Sequence, residues 1–439
     1  MRLQALPEPM GRLKPLKDQT TGLSLLMLPE GFRYHTFSWA GKTLHDGRSV
    51  PGRADGMGMV RQSGFEVTLV RNHELRGSSG PIGPPEHSYD VTGGGTTNLV
   101  FDLASESLIN SWVSLSGTLN NCAGGVTPWG SWLSCEEGPW SPTTRHLGPT
   151  LRQSLWQLGK AQKEHGFVFE VAADGLSPPE PIWDMGQFYH EAVAFDTNTG
   201  IAYLTEDASP VAGFYRFISK TEGKLSDGGE LQMMRVADGM DMRGPLPMGE
   251  RWPVRWVDIE SPQLGINKDT GEGDGVVLQG YLAGGSPFVA LEGCIAQDAH
   301  IFFTSKAGGS AGAGCIFDYD PKTETIRVVY DSPGHDTLSG PDNITVSPRG
   351  SLVICEDRTN LQTEAQSLFS LTQEGVLFRF CQVNPRLSGR YAGFQLSDSM
   401  LNTEWAGATF SADGQWLFCN LYQPGVSVAI TGPWQDGLI

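Results

Sequence analysis

Positive charge is scarce in this sequence: 31 Lys and Arg stand against 49 Asp and Glu in 439 residues, a formal net charge of −18. That balance argues against nucleic acid or an anionic membrane as the main partner, because both demand a basic surface. Long hydrophobic runs are missing as well, and no segment approaches the ~18 apolar residues of a membrane span. The opening stretch MRLQALPEPMGRLKPLKD has no hydrophobic signal core, so any export signal is expected to be absent or already removed. Cysteine is sparse, with seven residues and no C-x-x-C or Cys/His spacing of a zinc module. Cys135, Cys355, Cys381 and Cys419 sit in or beside strand-like runs and read as small buried hydrophobes. Cys122 differs, because it opens its run instead of filling it.

Glycine and tryptophan, by contrast, are plentiful: 56 Gly and 12 Trp accompany 39% hydrophobic residues, the composition of a turn-rich globular chain. Six segments share one plan of polar residue, apolar strand, tight turn, apolar strand and a closing acid or polar residue. They are ADGMGMVRQSGFEVTLVRNHE (54–74), NCAGGVTPWGSWLSCEE (121–137), HEAVAFDTNTGIAYLTED (190–207), LEGCIAQDAHIFFTSK (291–306), PDNITVSPRGSLVICED (341–357) and TEWAGATFSADGQWLFCN (403–420). Each has room for two strands of about five to six residues and a turn. Further strand pairs, such as GFYRFISKTEGKL and CIFDYDPKTETIRVVYD, fill the gaps.

Two hairpins in succession make a four-stranded sheet, and six such sheets arranged radially make a six-bladed β-propeller. The expected architecture is therefore all-β, a single propeller domain over residues 1–439 with helical and loop insertions. Residues 1 to about 20 read as an extended arm, and about 140–165 as the main insertion. HLGPTLRQSLWQLGKAQKEHG and DRTNLQTEAQSLF have helical periodicity. The late strand GVSVAITG is expected to close the ring with an early one such as FRYHTFSWAG, which removes an open sheet edge.

In such a ring the hairpin ends converge on one mouth of the central channel. The residues expected there are Glu74, Cys122, Glu136, Glu137, Glu191, Glu206, Asp207, Glu292, Asp342, Glu356, Asp357 and Glu404. So many carboxylates share a low-dielectric channel only if protonated or bound to cations. Carboxylates suit calcium, whereas the Cys122 thiolate suits a transition ion, so the set points to a mixed cluster. His73 and His190 read as hydrogen-bonding residues beside these acids, and Asp318 and Asp320 as turn residues. The Gly93–Thr97 run lacks the Lys of a phosphate loop and reads as a tight strand entry.

The stretches NHE, GGGTTNLVFD, NCAGGVTPWGSWLSCEE, HEAVAFD, LEG with FFTSKAGG, PDNITVSPRGSLVICED and EWAGATFSADGQWLFCN with QPG resemble the PhoX-type alkaline phosphatases over about residues 20–430. The resemblance implies a six-bladed propeller that hydrolyses phosphomonoesters with Fe3+ and Ca2+ bridged by an oxygen species, the metal-activated nucleophile. It implies Cys122 as the iron thiolate and Glu136 or Glu137, Glu191, Glu292, Asp342 and Glu404 as the carboxylate ligands. No single catalytic side chain and no Ser-His-Asp set is called for. It also implies a periplasmic or secreted location and a small phosphate ester as partner; a monomer is the expected state. One departure stands out: the family's arginine two positions before the LEG glutamate is Ala290 here, and Lys306 is the candidate substitute for binding substrate. A calcium-dependent lactonase-like hydrolase and a non-catalytic, metal-braced binding propeller are the alternatives.

Overall fold

The computed structural model describes residues 6–77, 80–143, 160–358 and 365–439. All six expected hairpins form antiparallel pairs. Their strands are Ala54–Ser63 with Glu66–His73, Asn121–Val126 with Trp132–Glu136, His190–Phe195 with Ala202–Glu206, Leu291–Gln297 with His300–Ser305, Pro341–Val346 with Leu352–Glu356, and Trp405–Phe410 with Leu417–Leu421. The leading strand of each hairpin packs beside the leading strand of the next, and the sixth returns to the first. The result is an all-β, propeller-like ring around a central channel.

Outer strands extend each hairpin. Among the described residues, Val168–Val171 adds one strand to the second hairpin, whereas the first gains Gly94–Asp102 and Ser107–Thr118. Trp252–Asp258 pairs on one side with Gly229–Val236 and on the other with Thr325–Asp331, which fuses the third and fourth groups into a nine-stranded sheet. The late strand Val426–Thr431 pairs with Arg33–Phe37, so the two ends of the chain close the ring as expected. The early arm is stitched down too: Lys14–Leu16 pairs with Leu26–Leu28, which pairs with Leu377–Val383.

Most of the expected insertion at about 140–165 lies outside the described residues, as does the middle of DRTNLQTEAQSLF. The end of the latter is corrected, since Ser367–Leu371 is a buried strand and not helix. Its every residue is buried, and that burial favours a central strand over an exposed amphipathic helix.

Small residues let the leading strands crowd the axis. A Cβ on Gly56 would sit 2.4 Å from Ala123 Cα, and one on Gly407 would sit 2.6 Å from the Met57 backbone nitrogen. Farther out, aromatic side chains fill the space between sheets, as where Phe303 stacks between Phe214 and Phe317 at 4.0 and 5.0 Å.

Candidate metal centre

Five of the six hairpins carry the same irregularity near the start of their leading strand. Pairing slips between Ala54 and Met57, Asn121 and Gly124, His190 and Val193, Leu291 and Cys294, and Pro341 and Ile344. Such a bulge re-aims the unpaired residue. The first unpaired residue of each is Asp55, Cys122, Glu191, Glu292 or Asp342, and all five line one cavity of about 310 Å³ at the channel mouth. In the sixth hairpin the slip falls after Ala406, the equivalent position is Gly407, and Glu404 supplies the acid from just before the strand.

A second tier comes from the ends of the returning strands. Side chains alternate along a strand, so one of each adjacent pair faces the channel and its neighbour faces the blade. Glu74, Glu137, Asp207, Lys306, Asp357 and Tyr422 line the cavity, together with Arg53 and Arg76. Nine carboxylates and one thiol thus meet three cationic side chains.

The neighbours of this tier have a different task, and three expectations are corrected. Glu136 accepts from the Leu119, Gly166 and Phe167 backbone nitrogens at 2.8, 2.7 and 3.2 Å and lies 2.8 Å from His165 Nδ1. Glu206 accepts from Gly213 N and Tyr215 Oη, and Glu356 from Ser339 N, Ser367 N and Arg358 Nε. These three carboxylates fasten the mouth to the blades and do not line the cavity.

The histidines are also structural. His73 uses both ring nitrogens, on Gly52 O and Thr97 Oγ1, each at 2.9 Å. His190 Nε2 sits 2.9 Å from Gly186 O, and burial pushes its pKa down to about 3. Gly95 provides the tight strand entry, where a Cβ would approach Leu115 O to 2.3 Å. Asp320 caps a turn through Lys322 N and Thr323 Oγ1, as expected. Asp318 does not: it is buried mid-strand between His300 Nδ1 at 2.6 Å and Arg327 Nε at 2.7 Å. Ser310, within Gly308-Gly309-Ser310-Ala311-Gly312, has the G-x-S-x-G spacing of a nucleophile elbow. Its hydroxyl donates to Asp331 in an exposed turn away from the cavity, so no nucleophile is built there.

Electrostatics in the cavity follow from burial and like charge. Burial first, then neighbouring carboxylates, push the pKa values of Asp55, Glu191 and Glu292 well above the ordinary range. Glu404 is raised in the same way, with Asp357 and Asp55 its main carboxylate neighbours. Asp342 is raised to about 6 by burial, and Lys306 restrains it. Burial and the Glu191 and Glu137 carboxylates likewise raise the Cys122 thiol, which sits 3.0 Å from His190 O. The Lys306 ammonium lies 3.5 Å from Glu292, 3.2 Å from Asp342 and in contact with Asp357. Lys306 thus lines the cavity with its ammonium held among three carboxylates.

The donor set fits bound cations. Oxygens of Glu191, Glu292 and Asp342 lie within 4.8 Å of one another, all three residues buried. Glu292 Oε1 is buried without a hydrogen bond, with the Lys306 ammonium 3.5 Å away, and a metal ion would satisfy it directly. Nine carboxylates suit hard cations and the single thiol a transition ion.

Sequence reading missed Asp55, Arg53, Arg76 and Tyr422 at this mouth. The signal for Asp55 was its register: Ala54-Asp55-Gly56 occupies the hairpin position of Asn121-Cys122-Ala123. The arginines stand two residues outward from Asp55 and from Glu74, just beyond the strands Ala54–Ser63 and Glu66–His73.

Comparison with known proteins gives one family: that described as Alkaline phosphatase PhoX matches residues 11–100 and 86–425. No curated protein matches the sequence significantly. Among solved structures, a gluconolactonase from Xanthomonas campestris aligns over 98% of this chain and 100% of its own, with 12% identity and a TM-score of 0.41. The PQQ domain of a pyranose dehydrogenase from Coprinopsis cinerea aligns over 95% and 98% with 11% identity and a TM-score of 0.35. The β-propeller domain of a trilobed protease from Pyrococcus furiosus aligns over 88% and 97% with 7% identity and a TM-score of 0.37. At these scores the structural likenesses carry no argument about function. Among the described residues, no helix is long and apolar enough to cross a membrane.

Proposed function

Because this chain belongs to the alkaline phosphatase PhoX family, we propose that it is a metal-dependent phosphomonoester hydrolase whose reaction centre is the acidic mouth of a six-bladed propeller. One observation carries this reading: five equivalent bulges deliver Asp55, Cys122, Glu191, Glu292 and Asp342 to the same cavity.

The residues divide by chemistry. Cys122 would hold iron as its thiolate, a form that burial opposes and only a cation offsets. Glu191, Glu292, Asp342 and Glu404 would hold iron and calcium, with Asp55 added by its equivalent register and Glu137 taken in preference to Glu136. When bound, the ions supply Lewis-acid charge for the phosphoryl oxygens and the leaving oxygen. The protein's own part is to fix the donors rigidly: Glu136, Glu206 and Glu356 anchor the strands that carry Glu137, Asp207 and Asp357. Lys306 neutralises Glu292, Asp342 and Asp357 in part and so limits repulsion around the ions.

Elemental analysis of the purified protein, paired with turnover of a simple aryl phosphate, tests the reading. Iron with calcium and phosphate release support it. Calcium alone without phosphate release shifts the assignment to the lactonase-like or binding propeller. A metal-free and inactive protein refutes it.

A further inference from the structure

The Ala290 departure leaves the cavity without its expected guanidinium, and the structure supplies two others nearby. Ala290 is buried, takes a left-handed φ of 43° and does not line the cavity. Arg53 and Arg76 do line it, at the outer end of the first hairpin. The Glu74 backbone nitrogen donates to Arg53 O at 3.1 Å, so the two strand ends that carry the arginines are held side by side.

One carboxylate links them. Glu74 accepts from Arg76 through Oε1 and from the Tyr422 hydroxyl through Oε2. Tyr422 Oη in turn accepts from Arg53 Nη1 at 2.8 Å, and the Arg53 guanidinium lies 5.6 Å from the Tyr422 ring centre. Arg76 Nε donates to Asn120 Oδ1 at 2.6 Å. Each guanidinium has five N–H donors, so each is oriented by these bonds and keeps donors for the cavity. Arg53 holds its place with a left-handed backbone, φ 49°, a strain of the kind that persists at functional sites. Lys306 cannot do the same work, because three carboxylates surround its ammonium.

We propose that Arg53 and Arg76 form the phosphate clamp of this chain, a planar pair of forks at the rim that replaces the arginine missing at Ala290. The clamp rests on the phosphatase reading above and sharpens it: the substrate is bound through a terminal phosphate dianion held between the rim arginines and the acid-bound ions.

The test uses the metal-loaded full chain and its variants Arg53→Met, Arg76→Met and Arg76→Lys. Binding of inorganic phosphate is measured by calorimetry, and kcat and KM with an aryl phosphate, alongside metal content. We expect each Met variant to weaken phosphate binding about tenfold or more, with metal content unchanged and KM affected more than kcat. Arg76→Lys restores charge but not the fork, and should recover only part of the loss. Unchanged phosphate binding in both Met variants overturns the clamp while wild-type turnover leaves the phosphatase reading standing. Loss of metal in the Met variants also overturns it, since the arginines would then serve the cluster. A wild-type protein that neither binds phosphate nor hydrolyses the ester refutes the underlying reading itself.

Discussion

Glu136 and Glu137 are adjacent in sequence and serve opposite sides of one strand end: Glu136 binds backbone nitrogens of the blade, and Glu137 lines the acidic cavity. The same division separates Glu206 from Asp207 and Glu356 from Asp357. Alternation along the strand is the cause, and the anchoring partner makes the facing one rigid.

Glu136→Gln and Glu137→Gln should therefore fail differently. The first removes charge from a fully buried acceptor of three backbone nitrogens beside His165, and is expected to cost ~2–4 kcal/mol of stability. The second should leave the melting temperature of the metal-free protein near wild type while lowering bound metal. Thermal melts and elemental analysis on both variants separate the two, and equal metal loss in both would contradict the division.

The hairpins, their convergence and the closure of Val426–Thr431 on Arg33–Phe37 were legible because apolar alternation and turn residues mark strands locally. Which of two adjacent acids faces the channel was not, since a period of two leaves the phase open until a bulge or a partner sets it. Asp55 stayed hidden for that reason, and its register beside Cys122 became plain only when the slip after Ala54 was seen. Asp318 was missed because its partners, His300 and Arg327, lie on the strands on either side of it. Long-range pairing of that kind leaves no local signature.

Cys122→Ser tests the thiolate. The substitution keeps a small buried side chain, so the fold should persist, but a hydroxyl is a poor ligand for a transition ion. Iron content and aryl phosphate turnover should both fall by an order of magnitude or more, with calcium less affected. Normal iron with full activity would remove Cys122 from the cluster.

Lys306 offers a third test. Its ammonium sits against Glu292 and Asp342, two of the three acids whose oxygens lie within 4.8 Å of one another. In the metal-free protein Lys306→Met leaves those buried acids without their cation, and should cost ~3–5 kcal/mol. Added calcium should recover more stability in the variant than in wild type, because no ammonium competes for the same oxygens. Melting temperature against calcium concentration reads this directly, and parallel curves would show that Lys306 and the ion do not compete.

His165 gives the fold a pH dependence distant from any activity assay. Burial alone would lower its pKa, but the Glu136 carboxylate at 2.8 Å and Asp90 at 3.3 Å outweigh burial and push it up to about 9. The folded value lies above the ordinary 6.5, so the imidazolium's contribution is fully present below pH about 6.5 and is lost as pH rises through about 9. The whole contribution is of order 3 kcal/mol, an upper bound set by the shift. Denaturant midpoints of the metal-free protein should thus decline between pH about 6.5 and 9. His165→Gln should lower stability at pH 6 and flatten the profile in that window, because an amide keeps a hydrogen bond but takes up no proton. A variant with the wild-type slope would assign the decline to other groups and leave the buried His165 neutral.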